Sequence, residues 1–334
     1  MRFNIYSLFI VIISSLVLLS GCGSDNSLTI YSGRSKALVD DVVKQFENET
    51  DIKVNVRYGS STQLSMALME EGVRSPADLF WAQDAGALGA IQREGMLTRL
   101  PDELLEKVPL EFRSSEGKWV ATSGRARVLA YSKSRVDENR LPSSIFELTD
   151  GEWAGRIGWA PGNASFQTFL TAMRVAEGEE RTREWVEAMK ANNTSSYSNN
   201  NALIQAISAG EIDFAITNHY YLLRYLDTNE NYPVAQTFFR DGDPGNLINI
   251  AGMGILENSQ NQEAALEFAS FLLREDIQNR FVDETFEYPV VHEVDRVPGE
   301  VNLENVRQVN PQLDLNDLED INATLRMLRE VGLL

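Results

Sequence analysis

Short apolar runs alternate with helical patterns through the first hundred residues, and this order constrains the fold more than any other feature. "LTIY" at 28–31, "IKVNVRY" at 52–58 and "ADLFWA" at 77–82 are typical of strands. The first helical pattern between them places apolar residues at Leu38, Val39, Val42, Val43 and Phe46. With further helical patterns after the second and third strands, the order is β-α-β-α-β-α, which predicts a parallel sheet covered by helices.

The rest of the chain predicts a second unit of the same kind. "RARVLAYS" at 125–132 has the pattern of a strand that crosses into it, and "NIAGMGIL" at 249–256 that of a strand that returns. The predicted fold class is therefore α/β, with two Rossmann-like lobes joined by crossover strands. The predicted boundaries are residues 28–125 and 251–300 for lobe 1, and residues 126–250 and 301–334 for lobe 2.

The N-terminus resembles a bacterial lipoprotein signal. An apolar stretch from Ile5 to Leu19 is followed by "LSGC", which ends at the only cysteine of the chain. The prediction is a signal peptide over 1–21, lipidation of Cys22 and a tether over 22–27. The alternative is a short uncleaved anchor, and under either reading the body of the protein lies outside the cytoplasm. A lipidated Cys22 leaves no thiol for a disulfide, a nucleophile or a metal.

Charge and motifs exclude several classes of function. Removing residues 1–21, which carry one arginine and no acid, takes the formal net charge from −19 to −20. A chain this acidic does not bind nucleic acid non-specifically. The sequence contains no HExxH, no GxSxG and no phosphate-binding P-loop, and it has only two histidines. We therefore expect a binding protein and not an enzyme.

Polar loops follow the predicted strands or open the predicted helices. They are rich in Ser, Asn, Gln, Gly, Arg or Tyr, and lie at 31–35, 59–63, 82–86, 123–127, 160–166, 198–201 and 217–221. The polar residues of any single loop can be explained as helix caps or turn residues, and Asp84, for example, is a plausible N-cap. Seven at strand ends indicate a ligand site in a cleft between the lobes.

Two adjacent tyrosines, Tyr220 and Tyr221, occur in the last of these loops, "TNHYYL". One interpretation is that both are core aromatics. The other is that two phenolate oxygens bind one hard cation. Neighbouring residues of a regular helix point about 100° apart, so both would reach one ion only from the irregular start of an element.

Six segments together resemble the periplasmic ferric-iron-binding proteins of ABC importers, within the extracellular solute-binding proteins. They are "LTIYSGRSKALVDDVVKQFE", "SPADLFWAQDAGALGAIQREGML", "SGRARVLAYSK", "WAPGNASFQTFLTAM", "NALIQAISAGEIDFAITNHYYL" and "DPGNLINIAGMGIL". The resemblance implies a periplasmic binding protein fold of type II, Fe(III) held by Tyr220 and Tyr221, and a synergistic anion, phosphate or carbonate. It also implies a monomer that delivers iron to an ABC permease and its ATPase. The alternative keeps the fold and binds an oxyanion, phosphonate, thiamine or polyamine.

The chain departs from the best-known members of that family at two positions. Ser35 stands where some of them supply a histidine ligand, and Gln83 where they supply a glutamate. Only two strong ligands remain, so small anions and water should complete the octahedral shell of the iron. Ser35, Gln83 and Arg127 are predicted as possible contacts in the cleft.

The predicted anion-binding residues share a capacity to donate hydrogen bonds. The loop "GNASF" opens a helix whose N-terminal amides suit an oxyanion, and the resemblance adds two asparagines. The predicted set is Asn163, Ala164, Ser165, Asn200, Asn218, Arg34 and Arg125. Arg125 and Arg127 alternate on one strand, and either could instead only pin that strand. His219 is left open between a metal contact and a helix-surface residue.

Overall fold

The computed structural model describes residues 27–294, 303–311 and 313–334. The predicted signal peptide, Cys22 and all but the last residue of the predicted tether lie outside these ranges. Ser27 already belongs to the first strand. Within the described ranges, no helix has the length and apolar character needed to span a membrane.

The first third of the chain forms the predicted β-α-β-α-β-α unit. The elements are β1 (Ser27–Ser32), α1 (Lys36–Thr50), β2 (Lys53–Tyr58), α2 (Ser61–Glu71), β3 (Leu79–Ala82) and α3 (Ala85–Arg93). The three strands pair in parallel with β1 in the centre. Helix α1 buries Val39, Val42, Val43 and Phe46 of the predicted apolar face, and Leu38 is half-buried. The carboxyl ends of these strands therefore meet at one edge of the sheet.

The remaining elements complete this part of the sheet and build its second part. They are α4 (Asp102–Leu105), β4 (Val120–Ser132), β5 (Ile157–Trp159), α5 (Ala164–Glu177), α6 (Glu179–Ala191), β6 (Ser195–Ser196), α7 (Asn200–Ala209), β7 (Phe214–Asn218), α8 (His219–Thr228), β8 (Val234–Thr237), β9 (Ile248–Ile255), α9 (Gln262–Leu272), α10 (Glu275–Arg280), α11 (Leu303–Val309) and α12 (Ile321–Glu330). The sequence did not predict β6 and β8, because neither contains an apolar run.

Strand β4 joins the two parts of the sheet, whose order is β2-β1-β3-β9-β4-β7-β5-β6. Its residues from Val120 to Ala126 pair with β9, and its residues from Arg127 to Tyr131 pair with β7. We call the sheet from β2 to β9, with its helices, the first half, and β7, β5, β6 and β8, with theirs, the second half. The partner changes one residue beyond the predicted lobe boundary.

The C-terminal segment contacts both halves, whereas the sequence assigned residues 301–334 to lobe 2. A 3-10 turn at Leu315–Glu319 packs against α3 of the first half. Helix α12 packs against α5 of the second half, where Thr324 and Thr171 hydroxyls lie 2.8 Å apart. This segment therefore links the halves beside the cleft.

Candidate metal centre

A cavity of about 250 Å³ lies where the two halves meet, at the carboxyl ends of the parallel strands. Its lining comprises Gly33, Ser35, Leu38, Gln83 and Asp84 of the first half, Arg125 of β4, and Asn163, Ala164, Ser165, Thr168, Tyr220 and Tyr221 of the second half. Eight of the predicted site residues are thereby brought together. Arg34, Arg127, Asn200 and Asn218 are not among the lining residues.

The two tyrosines converge although their backbone is regular. Strand β7 ends at Asn218 and α8 begins at His219, so Tyr220 and Tyr221 lie in the first turn of a helix and not at an irregular start. Their ring centroids are nevertheless 4.5 Å apart, with a 35° angle between the planes. Tyr220 is 8% exposed and Tyr221 is partly buried. Side-chain torsions therefore bring together two phenols that the backbone directs apart.

The surroundings of Tyr220 favour the neutral phenol in the metal-free protein. Burial raises its pKa above the ordinary value of 10, the neighbouring Tyr221 raises it further, and the charge of Arg125 opposes both. A bound cation of high charge reverses this balance, because metal coordination deprotonates a ligand outright. A metal ion bound by Tyr220 would therefore have to displace the phenol proton.

A buried hydrogen-bond chain connects Tyr220 to the start of α5. Asn218 Nδ2 donates to the Tyr220 hydroxyl (3.2 Å), and Arg127 Nη1 donates to Asn218 Oδ1 (3.0 Å). Arg127 Nη1 also donates to Ser165 Oγ (3.1 Å). Burial lowers the pKa of Arg127 to about 9, against the opposing effect of Tyr220 and Tyr221. Arg127 thus lies beneath the cavity, while Arg125 lines it.

Two features predicted to bind an anion lie in the cavity, namely the Arg125 side chain and the first turn of helix α5. Asn163 caps α5, since its Oδ1 accepts from Ser165 N (3.0 Å) and from Ser165 Oγ (2.6 Å). The Ser165 amide is therefore engaged by the cap. The Arg125 side chain is almost fully buried in the lining of the cavity, where its charge opposes the rise in the pKa of Tyr220. A guanidinium in the lining of a cavity suits an oxyanion.

Three residues predicted to bind the anion lie behind the lining. Asn218 donates to the Tyr220 hydroxyl. Asn200 is buried, and neither atom of its side-chain amide has a hydrogen-bond partner among the described residues. Arg34 is buried and forms a bidentate pair with Glu287 (2.8 and 2.6 Å). Because both terminal nitrogens of Arg34 are engaged, the geometry does not favour a direct contact with an anion.

Glu287, which was not among the predicted site residues, is the acid that pairs with Arg34. Ser123 Oγ also donates to its carboxylate at 2.8 Å, and the Thr285 hydroxyl lies 3.3 Å from it while donating to the Phe281 carbonyl oxygen at 2.7 Å. Burial alone would raise its pKa, but the charge and hydrogen bonds of Arg34 outweigh it and hold the pKa below the usual value. No periodicity or motif marks an isolated glutamate in "TFEYPV", so the sequence could not indicate this role.

His219 is buried, so the expectation of a helix-surface residue is wrong. Its Nε2 lies 2.7 Å from the Phe286 carbonyl oxygen, which can only accept, so Nε2 carries the proton. Its Nδ1 accepts from Ala126 N at 3.2 Å. The ring stacks on Tyr288 at 4.1 Å, and burial lowers the pKa of His219 to about 4. Both nitrogens are engaged, which leaves no lone pair for a metal.

Two further residues contribute to the site. Asp84 caps α3 as predicted, accepting from Ala87 N at 3.0 Å, and also lines the cavity. The Arg224 guanidinium lies 4.9 Å from the Tyr220 ring centroid and 5.8 Å from that of Tyr221. The i+4 and i+3 spacing on α8 could have indicated Arg224 from sequence. Among the described residues, no group of three or more His, Cys, Asp or Glu could hold a metal.

Two α/β halves around a polar cleft, joined by strands that pass from one to the other, define a two-lobed solute-binding protein. The chain belongs to the bacterial extracellular solute-binding protein family, whose model matches residues 74–308.

Its relatives include proteins named for iron. A Fe(3+)-binding periplasmic protein of Serratia marcescens is 30% identical over 327 residues, covering 96% of each chain. A major ferric iron-binding protein of Neisseria meningitidis is 30% identical over 314 residues, covering 92% of this chain and 93% of the relative. The crystal structure of iron-bound HitA from Pseudomonas aeruginosa matches with a TM-score of 0.85 at 31% identity, covering 92% of this chain and 99% of that one.

Proposed function

We propose that this protein is an extracytoplasmic binding protein that captures ferric iron together with an anion and delivers it to an ABC permease. The observation that carries the proposal is the convergence of Tyr220 and Tyr221 on one cavity whose lining also includes Arg125. The names of the relatives support the same cargo, and do not favour an oxyanion, phosphonate, thiamine or polyamine as the ligand.

The donor set suits a hard trivalent ion. Phenolate oxygens are hard and anionic, and ferric iron prefers such ligands by extension of the rules for divalent metals. Two phenolates leave most of an octahedral shell for an anion, phosphate or carbonate, and for water. Arg125 and the first turn of α5 at Ala164 lie in the same cavity and would hold that anion.

Delivery and location complete the proposal. The two halves would close on the cargo by rotation about the crossover strands β4 and β9, near the predicted boundaries of lobes 1 and 2. A lipid at Cys22 would hold a monomer at the outer face of the cytoplasmic membrane, where a permease and its ATPase accept the iron. The protein would act by binding alone, without catalysis.

The visible absorption spectrum of the iron-loaded protein, with and without phosphate or bicarbonate, tests the proposal. We expect a broad phenolate-to-iron charge-transfer band that shifts with the anion and is lost in both Tyr220→Phe and Tyr221→Phe. A colourless protein that gains thermal stability from an organic ligand or an oxyanion alone would keep the fold and overturn the cargo.

A further inference from the structure

The orientation of Gln83 is determined by its neighbour Arg34. Arg34 Nη1 donates to Gln83 Oε1 at 3.1 Å, and a guanidinium has donors only, so the amide oxygen must face it. The Nε2 group of Gln83 then remains, and it makes no hydrogen bond within the described ranges. Because Gln83 lines the cavity, this leaves a donor on the wall of the first half.

The Arg34 guanidinium is itself immobilised. Glu287 binds both of its terminal nitrogens, and Glu287 also accepts from Ser123 of β4. The backbone amide of Gln83 donates to Ser61 Oγ at 2.8 Å, which fixes the main chain as well. Gln83 is therefore held at both ends, and rotation of its amide would break a hydrogen bond to a charged group.

We propose that Gln83 donates a hydrogen bond to the anion from the first half, and that Arg34, held by Glu287, is the positioning residue that presents it. The inference rests on the proposed function. The ligand class is an oxyanion small enough to contact Arg125 and the start of α5 as well, such as inorganic phosphate. A residue that replaces a metal ligand in the resembled family thus serves the anion here.

Phosphate titration of wild type, Gln83→Leu and Gln83→Glu tests this proposal. One series uses metal-free protein followed by calorimetry, and the other uses iron-loaded protein followed by its absorption band. Loss of one hydrogen bond to a charged group should weaken phosphate binding about tenfold in Gln83→Leu. Gln83→Glu should weaken it further, because a carboxylate only accepts and repels the anion. Gln260→Leu, an exposed glutamine outside the cavity, is the matched control and should bind as wild type does.

Iron affinity measured without phosphate separates an anion donor from a metal ligand. Gln83→Leu should bind iron as tightly as wild type when no phosphate is present. A large loss there would show that Gln83 contacts the metal and would overturn the proposal. The proposal would also be overturned if Gln83→Leu binds phosphate as tightly as wild type while the iron-loaded protein shows its charge-transfer band. If the band is absent from wild type while Gln83→Leu still weakens phosphate binding to the metal-free protein, the cargo is wrong and the role of Gln83 stands.

Arg34→Lys tests the positioning role without leaving Glu287 unpaired. A single ammonium can pair with Glu287 but lacks the fork that also reaches Gln83. We expect phosphate binding to weaken about threefold, with the charge-transfer band of the iron-loaded protein retained. A lowered melting temperature with wild-type phosphate affinity would mean that Arg34 is only structural, and would refute the positioning role.

Discussion

The two walls of the cavity differ in chemistry more than in shape. The wall of the second half carries both phenols, with Asn218 and Arg127 stacked behind them in a hydrogen-bond chain. The wall of the first half carries the neutral side chains Ser35 and Gln83, with the Asp84 carboxylate engaged in capping α3. In the proposed function one wall would bind the metal ion, while the other offers mainly hydrogen bonds.

The two walls would therefore act at different steps, the second half when the metal binds and the first half when the two halves close. A metal ion would bind first to the wall that holds both phenols, because the carboxylate of the opposite wall, Asp84, is engaged in capping α3. The first half would then add contacts to the anion through Gln83, whose position depends on the buried pair of Arg34 and Glu287. The anion, and not the metal, is what both walls would share.

The largest change in iron affinity should come from a pH shift of two units or more, if the phenol wall alone binds the metal. Because burial raises the pKa of Tyr220, iron must displace its proton, and two phenols should release about two protons per ion. The affinity should then fall about 100-fold for each unit by which the pH drops below neutral. Competition against a chelator of known pH dependence measures the slope. Release of about one proton would show that a single tyrosine binds.

Removing one phenol should cost far more iron affinity than removing a group of the opposite wall. Loss of an outer-shell group typically costs about 10- to 100-fold, so loss of a direct anionic ligand should cost on the order of 1,000-fold. Tyr221→Phe, measured by equilibrium competition in phosphate buffer, is expected to show this loss. Gln83→Leu in the same buffer should lose about tenfold. Equal losses would remove the distinction between the walls.

Breaking the buried pair behind the first wall should destabilise the whole protein. Glu287→Gln leaves the Arg34 charge buried and uncompensated, at a cost of about 3 kcal/mol in the free energy of unfolding. Glu152→Gln, which breaks an exposed pair with Arg140, is the control and should cost less than about 1 kcal/mol. Urea unfolding of the metal-free protein at neutral pH measures both. If Glu287→Gln lowers the free energy of unfolding by no more than the control does, the wall of the first half does not depend on the pair of Arg34 and Glu287.

Acid should weaken the metal-free protein through His219, which supports the second wall. Its pKa is about 4 in the folded state against 6.5 unfolded, so the unfolded chain binds more protons between these values. Stability present above pH 6.5 is therefore lost as the pH falls, by about 2 kcal/mol between pH 7 and pH 5. Urea unfolding should show this slope in wild type and in His292→Gln, an exposed control, but not in His219→Gln. A slope that persists in His219→Gln would assign it to other groups.

The sequence predicted the sheet and its helices where periodicity was strong. Strands such as β1 and β9 and the apolar face of α1 were recognisable, because local patterns encode them. Strands β6 and β8 were missed, since two and four residues without an apolar run have no period to read. The attachment of Leu315–Glu319 to α3 is a long-range contact that no local pattern encodes.

At the site, the sequence predicted which residues line the cavity but not which groups hydrogen-bond or form ion pairs with one another. Loops at strand ends and the tyrosine pair indicated which residues would line the cavity. The pairing of Arg34 with Glu287, 253 positions apart in sequence, could only come from the structure. The same holds for His219, whose neighbour in sequence suggested a metal role but whose nitrogens bind Ala126 and Phe286.

Strand β4 has a mechanical consequence for the charge it carries. When two bodies rotate about a common axle, each atom moves in proportion to its distance from that axle, so atoms on the axle barely move. Arg125 lies on β4 one residue before the strand changes partner between Ala126 and Arg127. Its positive field would therefore be nearly the same in open and closed forms. An arriving anion would meet this constant attraction before either wall has moved.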